Sequence, residues 1–76
     1  MEYLGENALP HLENALRYDG DPHIRALAAD AMGHIAAPTS MGTLIAALQD
    51  DAEQVRQAAA WSLNQIHAQQ LQLSVG

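Results

Sequence analysis

Apolar residues recur at helical spacing in four stretches of the chain. Ile24, Leu27, Ala28, Ala31, Met32 and Ile35 fall three or four residues apart, so together they line one face of an α-helix. Val55, Ala58, Ala59, Ser62, Leu63 and Ile66 repeat that stripe further on. Residues 7–18 and 39–49 read as two shorter helices of the same period. Helix starts are marked: Asp21 is placed to cap a helix whose first position is Pro22, and Asp51 with Gln54 three residues later fits a capping box. Pro38 biases Ala37 away from helix, which places a break over residues 36–39. The pattern predicts an all-α fold of four helices in two antiparallel hairpins.

The two hairpins read as copies of each other. Leu12 and Leu16 align with Leu44 and Leu48; Ile24, Arg25, Ala28, Ala29, Met32 and Ile35 align with Val55, Arg56, Ala59, Ala60, Leu63 and Ile66. The first copy carries one extra residue, which the alignment puts in its inter-helix turn. A single domain is expected over residues 1–76, with repeat one at 5–36, repeat two at 37–67 and a C-terminal tail at 68–76.

The segments ALPHLENAL with DPHIRALAADAMGHI, and TLIAALQDDAEQVRQAAAWSLNQI, resemble the HEAT-like repeats first associated with phycobilisome lyases. The resemblance covers residues 5–66 and implies a short α-solenoid. It implies that Arg25 and Arg56 are structural, pairing with turn aspartates Asp19, Asp21, Asp50 or Asp51 of their own or the next repeat. It also implies that one face of the second and fourth helices is a concave, partner-binding surface. The chain departs from the family pattern at Asn64, where repeat one has Gly33, and at Gly42, where repeat one has Pro10. Without the glycine, the last helix is expected to run on through Ala68 to Gln70.

Composition sharpens this picture. The hydrophobic fraction is 49%, but much of it is alanine, with no phenylalanine or cysteine and with Tyr3, Tyr18 and Trp61 as the aromatic residues. The core must therefore be thin, and a domain of 76 residues without disulfides is expected to lean on oligomerisation or a partner. Nine carboxylates against Arg17, Arg25 and Arg56, with no lysine, give a net charge of -6. That balance argues against nucleic acid and anionic membrane as partners. Residues 1–6 lack the basic and apolar regions of a targeting segment, so a soluble cytoplasmic protein is expected.

Catalytic motifs are missing from the sequence: there is no cysteine or lysine nucleophile, no phosphate-cradling glycine loop and no zinc-protease motif. The adjacent His-Glu pairs that hold iron in a hydroxylase built from similar repeats are missing too, since His11 is followed by Leu12. His11 and His67 have no carboxylate one turn on and read as surface residues. A second stripe remains, off the apolar face. His23, Ala26, Asp30 and His34 form it on the second helix, and Gln54, Gln57, Trp61 and Gln65 on the fourth. Trp61 stands where repeat one has Asp30, so the fold does not require an indole there. It reads equally as an interface anchor and as a cover for the thin core. Asp30, His34 and His23 share a face on which a cation could bind, but such spacing is common on solvated helices and no metal or other cofactor is expected.

The expected function is a non-enzymatic protein-binding or scaffold module whose partner contacts His23, Asp30, His34, Gln54, Gln57, Trp61 and Gln65. The alternative is an accessory or chaperone role beside a phycobilin lyase or in phycobilisome assembly or turnover, implied by the resemblance. Two repeats leave an apolar flank at each end of the stack, so self-association is expected. The tail, with Leu71, Leu73 and Val75 alternating, fits either docking on the last hairpin or a disordered end.

Overall fold

A computed structural model describes the backbone of residues 4–75 and the side chains of residues 8–71. Tyr3, Leu73 and Val75 as side chains, and the N-terminal residues read for targeting, lie outside that description. Four α-helices follow one another: α1 Leu4–Tyr18, α2 Pro22–Ile35, α3 Met41–Ala47 and α4 Glu53–Val75, with a 3₁₀ turn at Pro38–Ser40 leading into α3. Among the described residues there is no strand. Helix α1 packs on α2 and α3 on α4, and the hairpins join chiefly through α2 against α4. This is the all-α, stacked-hairpin arrangement that the periodicity predicts.

The core is small-residue-rich, as the composition requires. Leu9, Leu16, Ala28, Ala29, Met32, Leu44, Ala47, Val55, Ala58, Ala59 and Ile66 are buried, and Leu12, Ile35, Leu48 and Leu63 pack around them. One expectation is corrected: the buried face of α2 is rotated from the stripe read in sequence. Ile24 and Leu27 are 39% and 52% exposed, while Ala29 and Gly33 are buried. The reason is that α2 is covered on two sides, by α1 and by α4, and α4 draws the buried sector round to Ala29 and Gly33. Leu63, which aligns with the fully buried Met32, is only half-buried. No helix follows α4 among the described residues to cover it as α4 covers Met32.

The packing of α2 on α4 is closest at Gly33. A β-carbon there would lie 2.7 Å from Ser62 Cβ and 2.8 Å from Ser62 Cα, too near for either helix backbone to tolerate. Beside it, Ser62 Oγ donates a hydrogen bond to the Ala29 carbonyl, which satisfies a buried hydroxyl. Gly33 therefore serves close approach and does not end α2. Termination comes later, at Ala36, which takes the left-handed conformation (φ 57°, ψ 37°) and donates its N–H to the Met32 carbonyl. Pro38 then prevents any continuation. In α4 no such stop exists, and the helix runs past Gln70 to Val75.

The one-residue difference between the copies is taken up in the last turn of the first helix of each hairpin. Asp19 N–H reaches the Ala15 carbonyl, four residues back, whereas Asp50 N–H reaches the Ala47 carbonyl, three back. Leu48 and Gln49 make the same short step, so the end of α3 is wound as 3₁₀. Tightening brings Asp50 into the register of Asp19 with one residue fewer. The cap of α2 is as expected, Asp21 Oδ1 accepting from His23 N–H at 2.9 Å with Pro22 in the first turn. At α4 the expected capping box is replaced: Asp50, not Asp51, accepts a turn amide, that of Ala52 at 2.9 Å.

Candidate functional site

The α2–α4 pairing that builds the core also leaves a groove between the two helices on the other side. It encloses about 460 Å³ and is lined by His23, Ala26, Leu27 and Asp30 of α2 and by Gln54, Gln57, Ala58 and Trp61 of α4. Ala58 belongs to the core and Ala26 packs against it, so these two lie at the edge of the buried sector, while His23, Leu27, Gln54, Gln57 and Trp61 beside them are exposed and Asp30 is half-buried. A second hollow of about 300 Å³ continues it between Asp30, His34 and Trp61. Six of the seven residues singled out in sequence thus line one continuous, open depression. Gln65 is half-buried and lines neither hollow.

Trp61 is 39% exposed. Its ring leans on His34 across the hairpin junction, with centroids 5.0 Å apart and planes tilted by 58°. The indole borders both hollows and the histidine ring braces it on the side of the second. Gln57 Nε2 donates to Glu53 Oε2 at 3.2 Å, which holds its amide on the rim. Among the described residues, no three histidine, aspartate or glutamate side chains come together as a metal site. The depression offers an aromatic surface, an exposed leucine, amides and one carboxylate. It can hold an apolar group in a polar rim but brings together no nucleophile, base and oxyanion donors.

Two residues escaped the sequence reading of this surface. Leu27 was placed with the core stripe, and Ala58 likewise, yet both line the groove. The alignment pairs Leu27 with the small, buried Ala58, a difference in volume that marks the two copies as differently covered at this place.

The register of the two hairpins is held by arginine and aspartate. Arg25 Nε and Nη2 donate to Asp50 Oδ2 and Oδ1, both at 3.0 Å, a two-pronged pair between repeats. Nη2 also reaches the solvent-exposed Asp51 at 3.2 Å. Arg25 Nη1 donates to the Asp19 carbonyl at 2.9 Å, and Arg56 Nη1 donates to the Asp50 carbonyl at 2.7 Å, so each arginine clamps the turn of its own hairpin. The Arg25 hydrogen bonds hold the Asp50 carboxyl below the ordinary aspartate range; partial burial opposes this and the Ala52 N–H assists it. Asp50 in turn raises the Arg25 pKa. Arg17, which has no role in the sequence reading, donates from Nη2 to Thr43 Oγ1 at 3.1 Å and adds a further polar link between hairpins, beside the Ser62–Ala29 bond.

No described helix is long and apolar enough to cross a membrane. The model of the family of HEAT repeats matches residues 9–73. Neither the curated proteins nor the solved structures contain a match to the chain. HEAT repeats generally mediate protein–protein interaction or scaffolding and are typically non-enzymatic. Since the matched span runs through both hairpins, which share one register of turn aspartate and helix arginine, the chain belongs to the HEAT-repeat family.

Proposed function

We propose that this protein is a non-enzymatic binding module that receives a segment of a partner protein in the α2–α4 groove. The observation that carries the reading is Trp61: an indole 39% exposed, in ring contact with His34, in a depression whose other walls are polar or small apart from the exposed Leu27. Rigid, half-exposed aromatic rings ringed by polar groups are the usual anchors of protein interfaces. His23, Asp30, His34, Gln54 and Gln57 supply donors and acceptors around it, and Gln65 extends the same helix face. An acidic, lysine-free surface selects against polyanions and for a neutral or basic segment carrying an apolar side chain.

Capture of partners from the native host, followed by affinity measurement with the purified partner, tests the reading. Trp61→Ala is expected to leave the melting temperature nearly unchanged and to weaken binding by about 2 kcal/mol or more. Undiminished binding to a well-folded variant would remove the groove from consideration. A shift of bilin absorbance on mixing with the intact protein would instead assign it the accessory role implied by the resemblance to phycobilisome-lyase repeats.

A further inference from the structure

The arginine and aspartate that join the hairpins recur, unjoined, at the two ends of the stack. Asp19 stands in repeat one where Asp50 stands in repeat two: its Oδ1 accepts the Asp21 N–H at 2.9 Å, as Asp50 Oδ1 accepts the Ala52 N–H. Asp50 is met by the Arg25 fork, whereas among the described residues the Asp19 carboxylate makes no close ion pair and feels Arg25 only at longer range, across its own turn. At the other end Arg56 is clamped to its turn carbonyl just as Arg25 is, and among the described residues its Nε and Nη2 have no acceptor. Each end thus presents one half of the pair seen at the junction, already held in place by backbone contacts.

The apolar surfaces at the ends follow the same rule. Val55 and Ala58 lie on the Ser62 face of α4, which meets α2, and are 0% and 8% exposed. Their counterparts Ile24 and Leu27 are 39% and 52% exposed, Leu27 reaching the rim of the α2–α4 groove as well. Conversely Ala29 and Gly33 are buried beneath α4, while their counterparts Ala60 and Asn64 are exposed and Leu63 is only half covered.

We propose that a second copy of this chain docks head to tail on the first, the Arg56 fork of one copy binding the Asp19 carboxylate of the next while Ala60 and Leu63 cover Ile24 and Leu27. The occupant is argued from complementarity, because the two ends carry opposite charges at equivalent places and matching apolar strips. Such a contact is heterologous, joining different surfaces of the two copies, so it propagates from copy to copy rather than ending at a two-fold dimer. One residue weakens it. Asn64 occupies the place of Gly33, where a β-carbon cannot be accommodated at the spacing of the internal junction, so copies stand further apart than the hairpins do and association is reversible.

Sedimentation of the full chain across a concentration series tests the proposal. Progressive growth in mass that falls with added salt is expected. Arg56→Asp and Asp19→Arg, each alone, set like charges against each other and are expected to weaken association by about tenfold or more. Mixing the two variants restores an opposite-charge pair at every junction and should recover assembly. Asn64→Gly should strengthen association, a readout that does not depend on the charge variants folding. A parent chain that stays monomeric at high concentration, or a dimer indifferent to all three substitutions, would overturn the proposal.

Discussion

Ser40 and Ala36, four residues apart in the link between hairpins, are each placed against their own chemistry. Among the described residues, Ser40 Oγ is a buried side-chain polar atom with no hydrogen-bond partner. It precedes α3, where a serine would ordinarily cap, but the 3₁₀ turn at Pro38–Ser40 gives it helical dihedrals (φ -80°, ψ -11°) and its side chain caps nothing. A buried hydroxyl without a partner costs about 1 to 3 kcal/mol. Ser40→Ala is therefore expected to raise the melting temperature, and a fall measured by circular dichroism would show that the hydroxyl is engaged. Ala36 has the opposite problem, a β-carbon in the left-handed region. Ala36→Gly relieves it and should add up to about 1 kcal/mol, read in the same melts. Neither defect was legible in the sequence, because a proline-led link does not say which residue absorbs the turn or which hydroxyl ends up inside.

Among elements, the contact of α2 with α4 decides most. Gly33→Ala exchanges a poor helix former for the best, a gain of about 1 kcal/mol in an open helix, but it drives a β-carbon to within 2.8 Å of the Ser62 backbone. Overpacking of that kind costs about 1 to 3 kcal/mol, so a net loss is expected. Asn64→Ala, at the equivalent place on the exposed side of α4, should instead gain about half a kcal/mol from helix propensity. Opposite signs in paired thermal melts would establish that the glycine serves packing. The repeat alignment made the four helices and the hairpin pairing legible, because each is written twice in the chain; the family resemblance pointed Arg25 to a turn aspartate, but the donation of Arg25 and Arg56 to turn carbonyls was not in that expectation. The alignment misjudged which side of α2 is buried. Periodicity locates an apolar stripe, but a neighbour that packs through Ala29 and Gly33 leaves no bulky residue to mark its side. Six of the seven residues singled out in sequence line the groove for a related reason: side chains that alternate with a helical core stripe and do not belong to it project outside the core.

At the scale of the molecule, the Arg25–Asp50 pair ties stability to pH. Asp50 has its pKa lowered in the fold, chiefly by the Arg25 hydrogen bonds. A carboxylate so placed binds fewer protons folded than unfolded, so its contribution is complete above the unfolded aspartate value of about 3.9 and is lost as pH falls through the folded value. The parent should lose melting temperature below about pH 4 more steeply than Asp50→Asn, with the two curves converging in acid. Parallel curves would mean that the pair contributes nothing to the difference. The ring contact between His34 and Trp61 has a spectroscopic consequence. The lone tryptophan sits at the seam where one hairpin meets the other, so its emission reports their separation and not the integrity of either. A seam that opened before the helices melted would shift the fluorescence at lower denaturant than the ellipticity. Because α2 and α4 share the same buried residues, neither hairpin keeps a core once the seam parts. The two signals should therefore follow one sigmoid with a common midpoint, and the indole becomes a built-in gauge of whether two repeats behave as a single cooperative unit.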